Sequence, residues 1–111
     1  MSQPLPPITA TDLKQLIDSG SAPRLIDVRE PDEWVSDLGH IDGAQLMPLG
    51  TVEANVGQLA GETREIISIC RSGMRAGKAA TFWASRGFAV RVLTGGMMAW
   101  NEAKLPITKT P

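Results

Sequence analysis

The one cysteine of this chain lies in the stretch Ile66-Ile67-Ser68-Ile69-Cys70-Arg71-Ser72-Gly73-Met74-Arg75. There an apolar run gives way to a polar loop carrying two arginines. The thiolate is the nucleophilic form of cysteine, and a positive field favours it. Residues 65–70 read as a buried strand and residues 74–86 as a helix that stops at Gly87. Cys70 is thereby expected just past the carboxyl end of a strand, where open α/β sheets bind ligands. The amides of residues 71–75 can curl toward the sulfur and toward an anion beside it, as at a helix N-terminus extended by a nest. Gly73 permits the positive φ that such a turn needs. A lone cysteine at a strand end is ordinarily a packing residue; the two arginines, the glycine and the strand-to-helix position point instead to chemistry.

Three readings of that chemistry compete. Cysteine phosphatases carry a Cys-x5-Arg loop whose arginine grips phosphate with two parallel hydrogen bonds. Here the sixth residue after Cys70 is Ala76, the arginine comes one position early at Arg75, and Ile69 stands where those phosphatases usually carry histidine. The shorter loop makes a smaller cradle. Sulfur transfer fits it better: a thiolate attacks a sulfane sulfur, an anionic group departs, and a persulfide remains. The third reading is a non-catalytic binding or redox-sensing module in which Cys70 is oxidised to sulfenic acid.

The elements that would position this loop follow from local signals. Thr9 and Asp12 are placed as N-cap and third helical residue, Ile8 and Leu13 as a hydrophobic staple, and Gly20 ends that first helix. Residues 24–28 form a short β-branched strand between Pro23 and Pro31, and residues 31–36 one helical turn opened by proline. Residues 39–44 are turn-rich and lead into an extended piece at 45–48; residues 51–59 read as a modest helix. Residues 88–93 form a further strand, followed by Gly95-Gly96 and a last helix over 97–103. Strands alternating with helices through short loops predict a parallel α/β sheet.

Composition sets outer bounds. The 111 residues suit one domain, 42% apolar and 21% charged, as in an ordinary globular protein. A net charge of −1 argues against a nucleic-acid or membrane-surface partner. One cysteine and one histidine make neither an internal disulfide nor a good metal site, so a reducing, cytoplasmic setting is expected. The opening MSQPLPPIT lacks the basic and apolar regions of a secretory signal, and no apolar run nears the roughly 20 residues of a membrane span.

Four blocks resemble the rhodanese-like sulfurtransferases: Leu25-Ile26-Asp27-Val28-Arg29-Glu30, Gly39-His40-Ile41-Asp42-Gly43-Ala44, the Cys70–Arg75 loop, and Leu93-Thr94-Gly95-Gly96-Met97-Met98-Ala99-Trp100. Each is weak alone, and the four in this order and spacing are specific. The resemblance covers nearly the whole chain. It implies one domain over residues 1–111, with 1–7 as an extended lead-in, and a five-stranded parallel sheet flanked by helices. It implies a persulfide on Cys70, a cradle formed by Arg71, Ser72, Gly73, Met74 and Arg75, thiosulfate or a similar small anionic donor, and cyanide or a thiol as acceptor, the thiol belonging to a small molecule or a thioredoxin-like protein. It implies no cofactor or metal. Two departures stand out. The stretch between Trp34 and Gly39 is slightly longer than the common form, in a loop rather than at the site. Lys104 stands where many members have the glycine that caps the last helix.

The remaining polar residues near these blocks read as structural. His40 is expected to tie its ring to nearby backbone, and Asp27, Arg29 and Glu30 to form a buried ion-pair network between loops. Asp27 bears watching, because a carboxylate beside the sulfur would oppose the thiolate. Trp34, Trp83, Met97, Met98 and Trp100 are assigned to packing, with one methionine as a candidate pocket wall. Arg75 and Lys78 share a helix face, either as a steering patch or as a solvated one. Gly77, costly inside a helix, would be explained by a close helix–sheet approach.

Overall fold

In a computed structural model, residues 3–111 are described. Four strands, β1 (Arg24–Asp27), β2 (Gln45–Leu46), β3 (Ile66–Ile69) and β4 (Val90–Val92), lie in the order β2-β1-β3-β4, every neighbouring pair parallel. Around them are the helices α1 (Ala10–Asp18), α2 (Pro31–Trp34), α3 (Met74–Ser85) and α4 (Gly96–Glu102). A parallel sheet is covered on both faces, and β3, buried at every position, is its centre. Alternation divides its side chains. Ile66 and Cys70 pack with the α3 alanines and Trp83, whereas Ile67 and Ile69 pack with Leu13 of α1 and Met97 and Trp100 of α4. The thiol therefore belongs to the α3 side of the sheet.

Local signals account for the helix ends. The Thr9 hydroxyl accepts from the Asp12 amide at 3.2 Å and opens α1, which closes through Ser19 and a left-handed Gly20 (φ 84°). Pro31 opens α2, whose capping box pairs Glu30 and Glu33 reciprocally. That turn is shorter than expected, ending at Trp34. Over 51–59 no α-helix forms: two 3-10 turns, Leu49–Thr51 and Val56–Leu59, flank an irregular stretch. Gly50, Gly57 and the β-branched Thr51, Val52 and Val56 weaken an α-helix too short to persist on propensity.

The sheet has four strands rather than five. Beside β4 runs a segment whose Leu5 and Ile8 amides donate to the carbonyls of Val90 and Val92, and whose Ile8 carbonyl accepts from Thr94, with a single bridge between Ile8 and Leu93. Pro6 and Pro7 have no N–H to give, so the segment cannot become a regular ladder. The first two residues of the expected lead-in over 1–7 lie outside the described residues. Lys104 meets the missing glycine by taking the left-handed conformation itself (φ 57°), at a cost of about 1 kcal/mol relative to glycine. Around Gly77 nothing stands within 4 Å of an added Cβ, so no close approach explains that residue.

Candidate active site

Register places the site. Asp27 of β1 pairs with Ile69 of β3, and the Val28 amide donates to the Ile69 carbonyl at 2.8 Å. Val28 and Cys70 consequently lie side by side at the carboxyl edge of the sheet, and Arg29 follows directly after Val28. Cys70 is 1% exposed, and its Sγ accepts a hydrogen bond from the Gly73 amide at 3.0 Å. Gly73 has φ 122°, the conformation that turns its N–H back to the sulfur, and it caps α3.

A second helix completes the loop. The amides of Met97 and Met98, in the first turn of α4, donate to the carbonyls of Cys70 and Arg71 at 2.8 and 3.0 Å. These bonds hold the first two loop carbonyls to α4, while the Gly73 amide bonds the sulfur. The approach is close: a Cβ on Gly96 would stand 2.4 Å from the Cys70 oxygen and 2.6 Å from the Arg71 carbonyl carbon. Gly96 is thus part of the site, and sequence reading missed that role. The double glycine at 95–96 was the signal, but which backbone it admits is a tertiary fact.

Arg75 does not stand free. Its Nη1 and Nη2 donate to Oε1 and Oε2 of Glu33 at 2.6 and 2.9 Å, joining the first turn of α3 to α2. These hydrogen bonds, against the burial that raises it, hold the Glu33 carboxyl down to about 2, and they raise Arg75 further above its ordinary range. The Cys70 and Asp27 charges add to the effect on Arg75, so the guanidinium lies within the electrostatic reach of the thiol. Glu33, absent from the sequence-based candidates, is the partner that decides what Arg75 contributes. Arg71 is exposed and, among the described residues, in no ion pair. It lines an open groove of about 370 Å³ with Arg29, Asp32, Glu33, Asp37 and Leu38. The longer stretch after Trp34 thus shares a groove with Arg71 of the Cys70 loop, where it was expected to touch a loop rather than the site.

Ser72 is exposed and Met74 is 79% exposed, and Gly73 is the loop residue whose amide bonds the sulfur. Met97 is buried in the α1–α4 core, and Met98 is partly exposed beside the loop.

The charged residues of the first block divide. Asp27 is fully engaged by Arg29, whose Nε and Nη2 donate to its two oxygens at 2.9 and 2.8 Å and whose amide donates at 3.1 Å. The same guanidinium donates to the Gly39 and Glu33 carbonyls, so the buried pair ties β1 to α2 and to the Gly39 turn. Glu30 is exposed and takes no part in it; its role is the capping box of α2. The pairing neutralises the carboxylate that would otherwise oppose a thiolate. His40 stacks on Trp34 at 3.5 Å and bonds the Trp34 carbonyl through Nδ1 at 2.7 Å, as its structural reading required. Among the described residues, no group of three or more His, Cys, Asp or Glu side chains is placed to hold a metal. No helix there is long and apolar enough to cross a membrane.

The chain is similar to known proteins. MoeZ of Mycobacterium tuberculosis, provisionally named an adenylyltransferase/sulfurtransferase, is 38% identical over 101 residues; the match takes in 89% of this chain but 25% of MoeZ. The chain thus spans about a quarter of that relative. YtwF of Bacillus subtilis, provisionally named a sulfurtransferase, is 35% identical over 99 residues, covering 89% of this chain and 93% of YtwF. A rhodanese-related protein from Thermoplasma volcanium superimposes with a TM-score of 0.84 at 25% identity, over 96% of this chain and all of that one. The model of the rhodanese-like domain matches residues 9–103, and the chain belongs to that family.

Proposed function

We propose that this domain is a sulfurtransferase of the rhodanese type, working through a persulfide on Cys70. The observation that carries the reading is the sulfur itself: it sits on the Gly73 amide at the start of α3, in a loop whose first two carbonyls are held by α4. The cradle formed by residues 71–75 suits a small anion or a persulfide sulfur. The Cys70 thiolate attacks the outer sulfur of a donor such as thiosulfate. The donor's S–S bond breaks, its electron pair leaves with sulfite, and the terminal persulfide sulfur rests among the amides. A thiolate or cyanide acceptor then attacks that outer sulfur, the new S–S bond breaks, and the pair returns to Cys70. The acceptor is a small thiol or a thioredoxin-like protein, and a reducing cytoplasm is the setting that keeps a lone thiol ready.

The engagement of Arg75 by Glu33 weighs against phosphoryl transfer, which would need that guanidinium on phosphate. Treatment of the protein with thiosulfate is expected to add one sulfur atom by mass, and Cys70→Ser to abolish both the adduct and thiocyanate formation while the fold is retained. A folded wild-type protein that gains no sulfur would refute the reading.

A further inference from the structure

We propose that Glu33 is a positioning residue that sets the charge of the preferred sulfur donor, turning the site from dianions toward monoanions. The inference rests on the sulfur-transfer reading above and names the donor class for it. The loop carries two arginines in sequence, but in space one of them is taken. Both terminal nitrogens of Arg75 donate to the two oxygens of Glu33, at 2.6 and 2.9 Å. Arg29 is likewise matched by Asp27. Arg71 is left as the one unmatched cation at the loop among the described residues, in a groove that also carries Asp32 and Asp37.

The reaction adds to this balance. A thiolate meeting thiosulfate brings three negative charges together, and one meeting a thiosulfonate (R–SO2–S⁻) brings two. In the second case, attack on the terminal sulfur breaks its bond to the sulfonyl sulfur, and the electron pair departs with a sulfinate, R–SO2⁻. Charge is conserved in both reactions, and only the donor's charge differs. With Arg75 masked, Arg71 is the one unpaired cation facing that load, in a groove that also holds Asp32 and Asp37, and each further negative charge on the donor is resisted.

Glu33→Gln isolates the effect. Glutamine keeps an oxygen for the Glu30 amide, now bonded to Glu33 Oε1 at 3.0 Å, and so retains the α2 cap. It can still accept from Arg75, but it no longer cancels the guanidinium charge. The readout is the ratio of kcat/KM for thiosulfate to that for methanethiosulfonate, a quantity that a general loss of loop order would not move. From Coulomb's law for one unit charge several ångströms away at a half-exposed site, Glu33→Gln should raise this ratio about fivefold. Glu33→Asp, which retains the charge, should leave it near the wild-type value. In the double variant Glu33→Gln/Arg75→Gln the rise should vanish, because it acts through Arg75. An unchanged ratio in Glu33→Gln, with both donors still adding sulfur to Cys70, would overturn the proposal, as would an equal rise in the absence of Arg75. If neither donor adds sulfur to Cys70 in the wild-type protein, the sulfur-transfer reading falls and takes this inference with it.

Discussion

The pair that links α2 to α3 gives stability a pH dependence of definite sign. Arg75 holds the folded-state Glu33 at about 2, below the ordinary 4.5 that it regains on unfolding. Between those values the unfolded chain binds the extra proton, so the stabilisation is complete above pH 4.5 and drains away as pH falls toward 2. Urea midpoints measured across that interval should fall less steeply for Glu33→Gln than for the wild-type chain, and the two curves should converge at its acid end. At this scale the sequence is legible where chemistry is local. Cys70 is singled out by its type, its position after an apolar run and the glycine three residues on, and Asp27 and Arg29 are close enough in sequence to be read as a pair. Glu33 and Arg75 are 42 residues apart, and no spacing rule joins residues so far separated in the chain.

Two glycines separate what an element needs from what it tolerates. At Gly96 a methyl group would drive into the Cys70 and Arg71 carbonyls, and φ of 56° already disfavours a side chain. Gly96→Ala is expected to cost about 1–3 kcal/mol and to push the loop off α4, so that sulfur addition to Cys70 falls even where the protein remains folded. At Gly77, inside α3, an added methyl meets nothing. Gly77→Ala should gain about 0.5–1 kcal/mol with sulfur addition intact, and chemical denaturation paired with mass spectrometry reads both variants. The contrast shows why elements were legible and their contacts were not. The Thr9 cap, Pro31 and the isoleucines of β3 act within a turn or a strand, and the structure places α1, α2 and β3 close to where they were expected. The 51–59 segment and the fifth strand failed for different reasons. In the first, glycine and β-branched residues outweighed a faint helical pattern; in the second, Pro6 and Pro7 removed the donors that a ladder requires.

Across the whole molecule, β3 divides two cores, one under α3 and the other under α1 and α4. The last residues close the second. Trp100 Nε1 donates to the Pro106 carbonyl at 2.9 Å, and His40 and Thr108 exchange backbone hydrogen bonds at 2.9 Å. This closure joins the chain's far end to the turn block beside the buried Asp27–Arg29 pair. The packing also leaves Cys70 1% exposed, and that figure makes the fold a strainer. A reagent's girth should then decide its access as much as its reactivity, a slender one reaching the sulfur more readily than a branched or cyclic one. Methyl methanethiosulfonate should modify the native chain nearly as readily as the urea-unfolded one, and N-ethylmaleimide should modify the native chain far more slowly. Equal native-to-unfolded rate ratios for the two reagents would show that burial imposes no such limit. The same narrowness would keep glutathione disulfide from capping the thiol.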